Sequence, residues 1–512
     1  MERLGKWLRA CWLDALGIAL AAVFALPSLA FRFGRDQAIF HYIGREWWRH
    51  GTLPYRDAFD LKPPAIYVVH ALTYGTLGGG EWAIRAVEIV VVLGTGILAA
   101  LALPRGPLRH PGTLGCGALL ASGWYYTNFD FWHSAQVESW ESLCLVAALA
   151  IVARATPGAR SALATGVALG CAFLFKTTAA IPAFAIGLYV TIEAFATAPA
   201  GLRSRQAILR GLWLTAGVLL PVALTVAFFA VHKGGLAALR DAVVIVGRYA
   251  KINVESTLSE RLRGFWFDQS GLWLGLGAGA WLAAIVHAAQ TRDWPRFWRV
   301  IGLALVALAT FASVAIQQKY YYYHEGVLGC FVVLAVLLSL APLTRDRAAA
   351  SLILAIGLMF GALFAAPPWY NNHDVNYRTF TQSWWKPSER RTLDQKFIGE
   401  AQFSHPAQQE IADAIKVRAR PGDRLHVRGF ELGIYCLSGL STPVRFVSDL
   451  HLDGAYNPHG AQDAAQDEAL LIREPPRFFV TFRDRPWDLD PIKQRGYHEV
   501  VRSGLFVLLE RG

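Results

Sequence analysis

The stretch DQAIFHYIGREWWRHGTLPYRDAFDLKPP, Asp36 to Pro64, follows directly on the first apolar span and sets carboxylates and a lysine beside a membrane surface. An ionisable group next to hydrocarbon is costly, so such a cluster requires either a water-facing position or a function. The rest of the chain decides which applies.

The chain has 512 residues, 54% of them hydrophobic and only 17% charged, with a mean hydropathy of +0.32. That exceeds what a soluble globule needs to fill its core and reads as a polytopic membrane protein. Arg3, Lys6 and Arg9 precede a first span over 11–33, which is longer than a signal-peptide core and lacks a small-residue cleavage pattern, so it reads as a retained anchor. The net charge of +11 is scattered over short loops and not gathered on one face, so nucleic acid is not an expected partner.

Apolar runs of helical length fall at 11–33, 82–103, 113–127, 138–153, 161–176, 178–198, 210–231, 270–290, 299–317, 326–342 and 348–366. The count is about eleven spans. Arg105 and Arg109, Arg154 and Arg160, Arg203, Arg205 and Arg210, Arg292, Arg296 and Arg299, and Arg345 and Arg347 mark the connecting loops expected on the cytoplasmic side. The apolar stretch Pro64 to Gly80 would break this alternation if it crossed, so it is expected to be interfacial or re-entrant. Parity then puts the amino terminus inside and everything after Ala366 outside.

The expected plan is a transmembrane part over 1–366, including a first exterior loop at 34–81 with interfacial helices, then a linker at 367–404 opening with PPWYNNHDVNY, and a small exterior α/β domain at 405–512. In that domain Gln408 to Arg418 has helical periodicity, while Arg424 to Val427, Phe478 to Phe482 and Gly504 to Leu509 read as strands. It contains no Gly-rich phosphate loop, CxxC, HExxH or GxSxG, so acceptor recognition or scaffolding is its expected role. Cys11, Cys116, Cys144, Cys171 and Cys330 lie in or beside spans and Cys436 stands alone outside, which implies no disulfide framework.

Within the first exterior loop, Ile39, Ile43 and Trp47 share one helical face, and His41, Arg45 and Arg49 the opposite one. This is the profile of an interfacial helix whose basic face attracts phosphate headgroups, or of one that only anchors the loop. Asp36 sits at the mouth of the first helix. Lys62 follows Asp57 and Asp60, and Pro63 and Pro64 hold it in an extended turn.

A first span ending at an acidic residue, an exterior loop with interfacial helices, a Lys62-Pro63-Pro64 motif, many further spans and an exterior domain together resemble the GT-C membrane glycosyltransferases. The likeness is to the branch with protein O-mannosyltransferases and lipid A aminoarabinose transferases. It implies transfer of a sugar from a polyprenyl-phosphate carrier to a lipid, glycan or protein acceptor on the exterior face of a bacterial inner membrane. Asp36 is followed by Gln37 where many relatives carry an acidic pair, so a second carboxylate is not carried over.

In an inverting transfer the acceptor hydroxyl attacks the anomeric carbon as the lipid phosphate leaves, which calls for a base and for positive charge on the phosphate. The resemblance makes Asp36 the base, with an ion pair to Arg35 or Arg56 as its alternative. It makes Lys62 the phosphate ligand, with snorkelling or pairing with Asp60 as the alternative. Arg56 and Lys176 are further phosphate-binding candidates, Lys176 at a helix boundary after CAFLF.

Asp60, His133, Glu138, Lys319, Tyr322 and His324 are substrate-binding candidates from the exterior loops. Against these stand helix capping for Glu138 and an ordinary aromatic belt for the run Gln318 to Glu325. Some relatives bind zinc or another divalent ion, but His133, Glu138, His324 and Glu325 are separated in sequence, so no metal and no required cofactor is expected. The competing readings are a GT-C-like O-antigen ligase or polymerase and a multi-pass transporter. The transporter is disfavoured because ionisable residues gather at exterior edges, Glu88 being the main exception.

Overall fold

The computed structural model describes residues 2–103, 111–252, 259, 271–319, 321–343, 352–358, 386–389, 392–393, 395–399, 403–484 and 491–512. Its helices are α1 (Glu2–Ala25), α2 (Arg35–His50), α3 (Ala65–Leu77), α4 (Glu81–Ala102), α5 (Thr113–Asn128), α6 (Val137–Arg154), α7 (Ala159–Phe175), α8 (Ala180–Thr197), α9 (Arg203–Ala230), α10 (Gly235–Tyr249), α11 (Gly271–Gln290), α12 (Trp294–Ala315), α13 (Gly329–Leu343), α14 (His405–Arg418), α15 (Gly433–Ser438) and α16 (Gly460–Arg473). Strands β1 (Leu425–Val427), β2 (Phe478–Phe482), β3 (Tyr497–Ser503) and β4 (Phe506–Arg511) complete it. The chain divides into two compact units: Met1–Leu29, Arg85–Thr225 and Val254–Tyr377 form one, and Ala30–Ile84, Val226–Asn253 and Arg378–Gly512 the other.

The first unit is helical. Each expected span from 11–33 through 326–342 falls on a helix, although α1 ends at Ala25 and continues only as the 3-10 turn Leu26–Ala30, where Pro27 cannot carry an α-helical hydrogen bond. Among the described residues seven helices are long and apolar enough to cross a membrane. Of the other helices expected to span, α5 and α7 are shorter, and α6 carries Glu138, Glu141 and Arg154. Only 352–358 of the expected span 348–366 is described. Arg105, Arg109, Arg345, Arg347 and the PPWYNNHDVNY linker lie outside the described residues.

The outward faces are apolar: Phe184, Leu188, Ile192 and Phe195 on α8 are exposed one helical turn apart, a stripe that water would not tolerate and lipid would. Inside, small residues let helix backbones meet. Gly96 faces Gly117, Gly17 faces Gly115 and Gly166 faces Gly217, each so close that an added Cβ would strike backbone.

The second unit holds the sheet, in the order β1-β2-β4-β3. β1 is parallel to β2, and the others are antiparallel, with β3 and β4 joined by a tight turn at Gly504, whose φ of +54° lies in the left-handed region. β3 is a strand the alternation did not reveal, because a bulge between Glu499 and Val501 breaks its period. Phe479, Ile492, Tyr497, Val507 and Leu509 form its core.

α2, α3 and α10 belong to this unit. α3 has 13 residues. At about 1.5 Å per residue it reaches about 20 Å, short of a hydrocarbon core of about 30 Å, in keeping with the non-crossing segment expected at Pro64 to Gly80.

The basic face expected to meet headgroups on α2 does not do so over most of its length. His41 and Arg45 are as buried as Ile39 and Ile43 on the other face. Arg45 donates to the Tyr435 and Leu440 carbonyls at the end of α15, each at 2.7 Å, and to Glu46 at 2.9 Å. These bonds commit the buried Arg45 guanidinium to the end of α15 and the turn that follows it, away from any lipid phosphate. Only the last turn, with Trp48, Arg49 and His50, is exposed.

Replacing Gly96 with valine would place a side chain 2.1 Å from the Gly117 carbonyl oxygen. The expected outcome is a thermal unfolding temperature in detergent several degrees below the parent, read by intrinsic fluorescence, consistent with an overpacking cost of about 1–3 kcal/mol.

Candidate functional site

The chain enters α2 through Gly34, so Asp36 falls in the first helical turn, where the unsatisfied amides and helix dipole favour a carboxylate. The residues just before it are tied down. The Phe33 amide donates to Glu81 at 2.7 Å, and Arg32 pairs with the other Glu81 oxygen at 3.1 Å. Arg35, the first alternative partner considered for Asp36, sends Nε and Nη2 to Glu431 Oε1 at 3.0 and 2.6 Å and lies against the Phe403 and Phe430 rings. Gln37, at the place of the relatives' second acid, is fully buried.

Lys62 sits at the end of a fixed turn. Tyr55 adopts φ +68°, a conformation uncommon for an aromatic residue, and its amide donates to the Ala58 carbonyl at 2.7 Å. The hydroxyls of Tyr55 and Tyr67 donate to the Lys62 carbonyl at 2.7 and 3.1 Å. Burial, reinforced by Asp60, keeps both phenols protonated well above the ordinary range, so both stay donors. Asp60 accepts from Tyr67 at 2.8 Å and lies 3.6 Å from His451, whose pKa burial lowers against the opposing pull of Asp60. Arg56 is gripped by the neighbouring Asp57 through two hydrogen bonds of 2.8 and 2.6 Å and donates to the Lys233 carbonyl at 3.0 Å.

The remaining candidates lie in the first unit. Lys176 ends α7 in an extended conformation and hydrogen-bonds Glu138 in the first turn of α6. His324 lies 4.0 Å from the same carboxylate oxygen. Glu141, one turn along α6, is buried with neither carboxylate oxygen hydrogen-bonded. His133 pairs with Asp130 at 3.0 Å and packs edge-on against Tyr322. Burial pushes the Asp130 carboxyl up, but His133 and the Trp132 and His133 amides outweigh it and hold the pKa below the usual value. Lys319 is half-buried in the loop before the 3-10 turn Tyr322–Leu328.

The structure thus joins Glu138, Lys176 and His324, joins His133 with Tyr322, and leaves Arg56 committed to Asp57. Glu88 braces the loop after α5: with Arg85 it is wholly buried, accepting from Tyr125 and the Ala135 amide while Arg85 donates to Ser134 at 2.7 Å and the Phe131 carbonyl at 3.0 Å. Sequence reading missed Glu81, His405, Gln408, Glu431 and His451, whose partners lie far along the chain. Among the described residues no group of three or more His, Cys, Asp or Glu is arranged to hold a metal ion, so the candidate divalent set is not assembled and no step is routed through a metal.

No protein-family model and no curated protein matches the sequence. Solved structures do. ArnT from Cupriavidus metallidurans bound to undecaprenyl phosphate superposes with a TM-score of 0.56 at 15% identity, covering 97% of both chains. Its apo form gives 0.55 at 16% identity over the same coverage. The Archaeoglobus fulgidus oligosaccharyltransferase tethered to an acceptor peptide gives 0.44 at 12% identity, over 99% of this chain and 75% of that one. The ArnT likeness shows the fold: a multi-pass α-helical membrane architecture that is GT-C-like, with a small α/β domain.

Buried histidines set the acid response of the second unit. Burial first, then Arg45 or Arg428, pushes His41 and His426 from 6.5 down to about 3. Each binds fewer protons folded than unfolded between these values, so its contribution to stability is lost as pH falls through that window. Asp467, pushed up to about 7 by burial, acts in the opposite sense as pH falls, as does Glu431. Acidification from pH 7 to pH 4 should therefore disfavour the fold less in His426→Gln than in the parent, read as the difference between their unfolding temperatures in detergent. Parallel profiles for the two proteins would contradict this assignment.

Proposed function

We propose that this chain is a glycosyltransferase that moves a sugar from a polyprenyl-phosphate-linked donor to an acceptor on the exterior face of a bacterial inner membrane, with inversion at the anomeric carbon. The carrying observation is the fold shared over 97% of both chains with ArnT bound to undecaprenyl phosphate, together with Asp36 and Lys62 held in defined turns.

In this reading the acceptor hydroxyl attacks the anomeric carbon while the bond from that carbon to the phosphate oxygen breaks. The Asp36 carboxylate takes the hydroxyl proton. The lipid phosphate departs with the bonding electron pair, and the Lys62 ammonium stabilises its charge. The two tyrosines on the Lys62 carbonyl, and the prolines that follow it, support a preorganised cation.

Lys176, Arg56, Asp60, His133, Glu138, Lys319, Tyr322 and His324 remain proposed contributors to phosphate or sugar binding. The charge of the basic loops supports an amino terminus in the cytoplasm, with the Asp36 to Pro64 loop and residues 405–512 outside.

Asp36→Asn should abolish transfer while leaving membrane insertion and unfolding temperature unchanged, because it removes the base at nearly constant size. Loss of a general base typically costs about 10² to 10⁴ in rate. Mass spectrometry of membrane lipids, surface glycans and exported proteins from cells with the parent, with the variant and without the gene reads the result. A full complement of sugar substituents with Asp36→Asn overturns the assignment. Lys62→Ala should weaken binding of undecaprenyl phosphate to the purified protein, and unchanged affinity would return Lys62 to a snorkelling role.

A further inference from the structure

Two carboxylates, the buried Glu431 and the largely buried Glu81, hold Arg32, Phe33 and Arg35 ahead of Asp36, and both are reached from one helix. Glu81 receives the Phe33 amide and Arg32, and lies 3.3 Å from His405 Nε2. Glu431 receives Arg35 through two nitrogens on Oε1, and Gln408 Nε2 on Oε2 at 2.6 Å.

His405 and Gln408 are three residues apart on α14, hence on the same face. Both are essentially inaccessible to solvent, as is Glu431. α14 is itself firmly started: Ser404 caps it by accepting from the Ala407 amide at 3.3 Å, and Pro406 stands in its first turn. Burying a carboxylate without a partner costs several kcal/mol, so the registry of these contacts is not interchangeable with a shifted one.

We propose that α14 is a positioning element for the transfer reaction, in which His405 acts through Glu81 on Arg32 and Phe33, and Gln408 through Glu431 on Arg35, so that both fix the angle at which Asp36 meets the acceptor hydroxyl. This rests on the transferase reading of Asp36. Neither residue touches substrate. The exterior domain then contributes to turnover as well as to scaffolding. The charged and titratable groups around the clamp are Arg32, Arg35, Glu81, Glu431 and His405, and Gln408→Met removes a donor from it without changing charge.

The test uses the full-length protein in detergent with Gln408→Met, which keeps length and loses the donor, Gln408→Glu, which sets carboxylate against carboxylate, and His405→Gln. Hydrogen exchange of amides 32–40 should quicken in each folded variant. In the transfer reaction identified by the glycan comparison, kcat should fall by about tenfold to 100-fold, the range expected for a misplaced catalytic group. The KM for donor and the affinity for undecaprenyl phosphate should stay unchanged, with kcat taken per folded protein from the active fraction that binds undecaprenyl phosphate, so that loss of folded enzyme does not mimic the effect.

Unchanged exchange at 32–40, or parental kcat in variants with faster exchange, overturns the clamp. If Gln408→Met does not fold, Gln408→Glu and His405→Gln decide the matter by the same two readouts. Asp36→Asn separates the two ideas: loss of transfer in Asp36→Asn with parental turnover in the α14 variants defeats only the clamp, whereas full transfer with Asp36→Asn defeats the assignment of Asp36 as base on which the clamp rests, and glycans unchanged by loss of the gene defeat the transferase reading itself.

Discussion

The cost of an uncompensated buried charge constrains this structure more than any other term. Glu81, Glu88, Glu138 and Glu431 all lie in or near the interior, and each is met by a cation, a hydroxyl or an amide from another part of the chain. In a medium of low polarity a carboxylate without such a partner is expensive, while the matched pair adds little net stability. What the pairs provide is uniqueness. Apolar helices can slide past one another with small loss, but Glu138 can meet Lys176 in only one arrangement of α6 and α7.

The same logic explains the loop after α5. Arg85 and Glu88 stand one helical turn apart on α4 and reach Phe131, Ser134, Tyr125 and Ala135, so a single ion pair is spread over hydrogen bonds to four residues that fix an otherwise irregular segment. Ala135 is held at φ +54°, a conformation that needs such over-determination. A mid-membrane acid that reads as transport chemistry in the sequence is here part of a brace. His133 and Tyr322, both on irregular backbone, sit beside the braced segment.

The membrane spans were legible because hydrocarbon demands long apolar runs and leaves little room for other patterns. The short α3 was legible by charge alternation. The loop residues were legible only as types: Asp36 and Lys62 stood out, but the sequence treated α2 as an amphipathic surface helix because period alone cannot tell a lipid-facing side from one covered by another segment. Arg45 settles that ambiguity through the α15 carbonyls nearly 400 positions away. β3 was missed because a bulge defeats alternation, and Glu81, Gln408 and Glu431 because nothing local marks a residue whose partner is distant.

The second unit is assembled from three separated chain segments, and the Arg35 to Glu431 contact joins residues 396 positions apart. During synthesis the segment Ala30–Ile84 emerges early and must wait, without its distant partners, until nearly the whole chain has been made. Closing so large a loop is slow, even though its entropic cost grows only logarithmically with length. A chain truncated before α14 therefore carries Asp36 without the distant contacts that hold the residues ahead of it, which makes completion of the polypeptide a checkpoint on the order of that segment.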